Sequence, residues 1–181
     1  MEDKGNLSSF FAYKPLILIK MRKKNLFLSF LFLCSSLIVF SQDFSSLQNV
    51  TLEDYEQYKS AEQEVIECCD YLLSNPYDKK DVNRLYAAQF LLKWMEGTPE
   101  YTFEINDEAM TLTNGKTELL QIYLAALTKT RLTIKDGSVS KEELNEKSKS
   151  LFIEYCSDSN NGIKLTKELK KVLKSEQAID S

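Results

Sequence analysis

From Thr51 onward, apolar side chains recur at three-and-four spacing in blocks separated by glycine, proline and polar clusters. That period puts them on one face of a helix rather than on alternate faces of a strand. The first block, about Thr51 to Ser74, carries Leu52, Tyr55, Val65, Ile66, Cys69, Leu72 and Leu73. It opens on Thr51-x-x-Asp54, which resembles a capping box. Ser74-Asn75-Pro76-Tyr77 ends it, because proline biases the preceding residue away from helical backbone. The second block, about Lys79 to Glu96, has Val82, Leu85, Tyr86, Ala88, Leu92 and Met95 in one stripe, widened by Phe90, Leu91 and Trp94. A helix apolar over most of its circumference is expected at the centre of a fold. Gly97-Thr98-Pro99 closes it.

Tyr101 to Ile105 alternates apolar and polar residues but has no second strand-like run to pair with, so it is expected to be an extended connector. Asn106 is a candidate cap for a short helix from about Asp107 to Thr113. A long helix follows, from about Lys116 to Ile134, then one from Lys141 to Cys156 capped by Ser140-x-x-Glu143. A final basic helix runs from about Lys164 to Ser175. Five or six helices joined by short loops predict an all-α single domain over residues 51–181, either an antiparallel bundle or a helical-hairpin stack.

The N-terminal region reads differently. From Met21, the cations Arg22, Lys23 and Lys24 precede a 15-residue apolar run, Leu26 to Phe40, and a small residue, Ser41. This is the pattern of a secretory signal peptide spanning 21–41, too short to cross a membrane as a helix of ~18 or more residues would. Residues 1–20 fit no targeting pattern and are expected to be an upstream extension, with translation starting at Met21. Residues 42–50 read as a polar linker. Leu33 of Leu31-Phe32-Leu33 stands where a lipobox before Cys34 would need a small residue, so the product is expected to be periplasmic or secreted, with no stable membrane span after cleavage. Of the charged residues, 17 basic and 25 acidic lie beyond residue 41, a net charge of −8. That balance disfavours a general nucleic-acid binder.

Candidate chemistry is limited by what the chain lacks. It holds no histidine, which removes His-based triads, Cys-His pairs and His-ligated metals. The four glycines beyond the leader form no phosphate-cradling loop, and no cofactor is expected. Cys68, Cys69 and Cys156 remain, and an oxidising compartment would allow a disulfide from Cys156 to Cys68 or Cys69. Adjacent cysteines on a helix point ~100° apart, so Cys68 and Cys69 should not bridge each other. The commoner fate of such residues is as buried structural thiols.

Two stretches match the second half of a calcium loop, with Gly137 and Glu143, or Gly162 and Glu168, at positions six and twelve. Their first halves fail: Leu132 and Ile134, or Ser157 and Ser159, stand where ligands belong. A helix end followed by a capped start produces the same pattern, so no metal is assigned. Aromatics gather around Trp94 and Tyr101, with Glu100 and Glu104 close by. These four residues are the candidate binding site, for an envelope polysaccharide or another partner, and with two flanking carboxylates a hydrolase is the alternative. A helical core with solvated glutamates is the commoner explanation. In the last helix Lys164, Lys167, Lys171 and Lys174 share a face; the acidic first helix (Glu53, Asp54, Glu56, Glu62, Glu64, Glu67) could complement it within the fold.

The run YLLSNPYDKKDVNRLYAAQFLLKWMEGTPEYTFEI followed by LLQIYLAALTK, with Ser41-Gln42 at the leader junction, resembles a set of uncharacterised, signal-peptide-bearing helical proteins of Bacteroidota-type bacteria. The resemblance covers about residues 50–175. It implies a periplasmic or secreted helical domain and no activity. The expected role is a non-catalytic binding or interaction module whose partner is a protein or an envelope component.

Overall fold

A computed structural model describes residues 43–134 and 139–179, with side chains as far as Ser175. The leader, the upstream residues 1–20 and the Asp136-Gly137-Ser138 turn lie outside the described residues. Within them the chain is all-α, with helices α1 (Tyr55–Ser60), α2 (Glu62–Ser74), α3 (Val82–Gly97), α4 (Asp107–Thr113), α5 (Thr117–Thr133), α6 (Lys141–Ser157) and α7 (Lys167–Ile179).

Most helix starts are set by short side chains that accept from otherwise unbonded backbone N–H groups. Asp81 accepts from Arg84 N (3.1 Å), Asn106 from Ala109 N (2.7 Å) and Ser140 from Glu143 N (3.1 Å). At the first helix the cap is Asp54, not Thr51: Asp54 accepts from Gln57 N (2.9 Å), and Glu53 N donates to the Gln57 side chain (2.7 Å). The last helix starts later than its periodicity suggests. Thr166 Oγ1 accepts from Leu169 N (3.1 Å) and donates to Leu112 O (2.7 Å), fixing α7 to the end of α4.

The expected single helix over 51–74 is two. Ala61 separates them with ψ near −2°. Residues 58–62 contain neither glycine nor proline, so the break is set by packing: Ala61 is buried in the core, and the Tyr58 ring lies over Gly97. A Cβ on Gly97 would stand 1.8 Å from the Tyr58 hydroxyl oxygen, so any other residue there must displace the Tyr58 ring. Residues 44–50 are no linker either. Ser45–Asn49 form a 3-10 turn, Phe44 is 4% exposed against the Tyr71 ring, and Lys93 Nζ donates to Val50 O (2.6 Å). Phe44, Leu47 and Val50 supply apolar anchors that a reading by overall polarity overlooks.

Two core clusters form. One gathers Phe44, Val65, Cys68, Cys69, Leu72, Leu91 and Trp94 from the 3-10 turn, α2 and α3. The other gathers Leu112, Leu119, Ile122, Tyr123, Phe152 and Leu169 from α4 to α7. The wall between them is α5, which touches α2, α3, α4 and α6. It turns Ala125 to the first cluster and Ala126, Tyr123 and Leu127 to the second. The central helix is therefore α5 rather than the one around Trp94. Its small residues Ala125, Ala126, Thr128 and Thr130, all buried, let neighbours approach on several sides. By contrast α3 lies at an edge, with Val82 and Leu85 half exposed.

Candidate functional site

The aromatic group expected around Trp94 exists in space but faces inward. Trp94 is fully buried, with ring centroids 5.7 Å from Tyr101 and 6.0 Å from Phe103, and its Nε1 donates to Tyr58 O (2.9 Å). Tyr101 is partly buried; its hydroxyl donates to Glu62 (3.1 Å), and the Arg131 guanidinium lies 5.8 Å from its ring. Desolvation first, then the Glu62 carboxylate, raises the Tyr101 phenol above its usual pKa. The Trp94 face is closed to a sugar, and Tyr101 and Phe103 are only partly exposed.

The two glutamates are committed to cations at the surface. Glu100 accepts from Lys59 Nζ (3.2 Å) and from the Tyr55 hydroxyl (3.2 Å). Glu104 pairs with Lys141. A cleft of about 240 Å³ beside the connector is lined by Phe103, Glu104, Arg131, Lys141 and Asn145. It holds one carboxylate, already neutralised, with no second acid on its wall. A hydrolytic pair needs one desolvated acid and one ionised carboxylate across the bond. Glu100 and Glu104 do not form that pair, and the candidate site of Trp94, Tyr101, Glu100 and Glu104 is arranged as a helical core with its glutamates at the surface.

The bridge from Cys156 that an oxidising compartment would allow is not formed; all three described cysteines are free and buried. Cys68 and Cys69 face the first cluster, whereas Cys156 faces the second. Burial pushes the thiols of Cys68 and Cys156 up to about 12, and that of Cys69 well above its ordinary value. A thiol reagent at pH 8 should therefore label none of them on a timescale of minutes in the native protein, and all three at once in denaturant. Rapid native labelling would show that the clusters open.

The second calcium-like loop is held by hydrogen bonds within itself and to the turn after α2. Asn161 O accepts from Tyr77 N (2.8 Å), Asn160 N donates to Asp158 (2.8 Å), and Gly162 takes the left-handed φ of 65° the turn requires. Glu168 lines a groove with Asp107, Glu108 and Lys171 instead of facing the loop. Among the described residues no three acidic or cysteine side chains converge on a metal position.

Two features are not apparent from the sequence. Arg84 is 3% exposed. Its Nη2 donates to Asn75 O (2.6 Å), Leu72 O (3.1 Å) and Pro76 O (3.3 Å), closing the carbonyl end of α2, and Tyr77 lies 5.6 Å from its Cζ. The second is the outer face of α3. Val82 (53%), Leu85 (50%) and Leu92 (36%) are exposed, and Gln89 lies between them in sequence. These four positions run i, i+3, i+7, i+10, the seam spacing of helices that pack side by side. Beside the seam is a cleft of about 200 Å³ lined by Leu47, Tyr86, Phe90 and Lys93. The spacing is visible in the sequence, but the same residues serve equally well as one side of a central helix.

No protein-family model matches the chain, and no curated protein or solved structure is detectably similar to it. None of the described helices is long and apolar enough to cross a membrane.

Proposed function

We propose that this chain is a non-catalytic binding module, exported by the 21–41 leader, that docks a helix of a partner protein along α3. The observation that carries this reading is the seam of Val82, Leu85, Gln89 and Leu92, apolar at three of four positions and open to solvent. Exposed apolar side chains scattered singly are ordinary, but a row at helix-packing register is a partner surface. Gln89 would fix the register, as a polar residue within an apolar seam does. The neighbouring cleft offers room for a side chain from the docked helix.

The triple variant Val82→Glu, Leu85→Glu, Leu92→Glu should keep the wild-type melting temperature within a few degrees, because these residues are exposed. It should also lose whatever protein the wild-type chain retains from an extracytoplasmic extract of its own source. Retention of the same set by both would remove the reading. Hydrolysis of purified peptidoglycan by the wild-type chain, abolished in Glu104→Gln, would replace it with the hydrolase.

A further inference from the structure

The acidic and basic helices do not neutralise each other. The carboxylates of α1 and α2 belong to the half of the fold built on the first cluster, and they find cations there: Lys59 for Glu62, and Lys129 for Asp70. In the other half α7 packs on α4 and α6 through Leu169 and Leu173. Outward, α7 and the residues leading into it present Lys164, Lys167, Lys170, Lys171 and Lys174, all exposed. None of the five takes part in an ion pair among the described residues. Between positions 163 and 175 the only acid is Glu168. Across the groove beside Lys171, α4 adds Asp107 and Glu108, the latter paired with Lys149. The five lysines thus face three acids, and a protein with an excess of acid still holds a net positive charge on one short surface.

We propose that this lysine face docks the protein onto an anionic phospholipid surface. The chemistry of the patch selects that partner. All five cations are lysines, point charges on flexible stems, and none sits in a pocket of fixed donors. Such a set suits mobile, dispersed headgroups better than one phosphate held in a defined geometry. The patch has no arginine fork and no aromatic platform, which base recognition would need. The apolar side of α7 is already spent on Leu169 and Leu173, so contact is electrostatic, without insertion into the bilayer. Because most of the acid lies away from this face, repulsion from the same surface orients the protein with α7 down. This surface is separate from the α3 seam and does not depend on it.

The test is co-sedimentation of residues 42–181, whose two core clusters include no residue before Phe44. The vesicles are phosphatidylcholine alone, or phosphatidylcholine with roughly one-third phosphatidylglycerol. Binding to the anionic vesicles should exceed binding to neutral ones at least tenfold, and should collapse between about 0.05 M and about 0.5 M salt. Lys167→Gln with Lys171→Gln and Lys174→Gln should weaken it by about 100-fold, at roughly one kcal/mol per lysine. The matching triple Lys→Arg should bind as wild type and guards against loss by misfolding. The same charge removed elsewhere, as Lys80→Gln, Lys129→Gln and Lys147→Gln, should cost far less. Equal binding to both vesicle types, or equal loss in the two Gln triples, would overturn the proposal. So would sedimentation without lipid that disappears with the α7 lysines, which would make the partner the acidic face of a second copy.

Discussion

Trp94→Ala should cost about 4 kcal/mol of folding stability. The indole is fully buried between Tyr101 and Phe103, and its N–H is satisfied by Tyr58 O. Truncation removes the largest fully buried side chain in the described structure, leaving a void and an unmatched carbonyl. Trp94→Phe should cost less, about 1–2 kcal/mol, since the ring is partly refilled and only the hydrogen bond and some volume are lost. Urea unfolding followed by circular dichroism reads both. If Trp94→Ala cost under about 1 kcal/mol, the ring would not be core, and an exposed aromatic site would become tenable. A tryptophan emission maximum already red-shifted in the native protein would say the same without mutation.

Arg84→Ala should cost about 3 kcal/mol, an unusual penalty for losing an isolated cation. Two effects oppose each other. Burying a guanidinium is expensive, and its Nε and Nη1 find no hydrogen-bond acceptor among the described residues, so removing it relieves a desolvation cost. Against that, three carbonyls at the end of α2 lose their shared donor, and the space left inside the fold is only partly refilled. The negative end of the α2 dipole and the Tyr77 ring already offset part of the burial cost, so the lost donor and the void outweigh the relief. Arg84→Lys separates the two: it keeps the charge but brings one compact ammonium in place of a planar fork, and should recover less than half of the loss. A stability equal to or above wild type in Arg84→Ala would show that desolvation wins.

Helices are the legible part of this sequence, and their neighbours are not. The caps at Asn106 and Ser140 and the short helix Asp107–Thr113 stand where the residues place them, because capping is a local matter of one side chain and one turn. The central element differs from the expected one because periodicity counts apolar residues and says little about how closely neighbours approach. The helix Val82–Gly97 is richer in large apolar side chains, but Thr117–Thr133 has the alanines and threonines that permit contact on several sides. Phe44 escapes a sequence reading for a related reason: one aromatic among polar residues carries no period, though it anchors the N-terminal turn through burial and through Asn83 (3.4 Å to Phe44 N). The candidate site fails where sequence proximity stands in for direction. Trp94, Tyr101, Glu100 and Glu104 are near one another in the chain, but the rings turn inward and the carboxylates turn to lysines. Arg84 lies in plain view as one charge in an apolar stripe, and only the position of the α2 carbonyls reveals its role.

The shared wall formed by α5 has a kinetic consequence. Neither half of the molecule can shed its apolar neighbours without stripping one flank of this helix, so the two clusters have no separate melting points to display. Opening becomes a single event for the molecule, and the α5 amides should exchange with solvent deuterium only at the rate of global unfolding. Most contacts of α5 with α4 and α6 join elements adjacent along the chain. The α4–α6 half can therefore assemble early, while the pairing of α2 with α5 must wait for a longer loop to close.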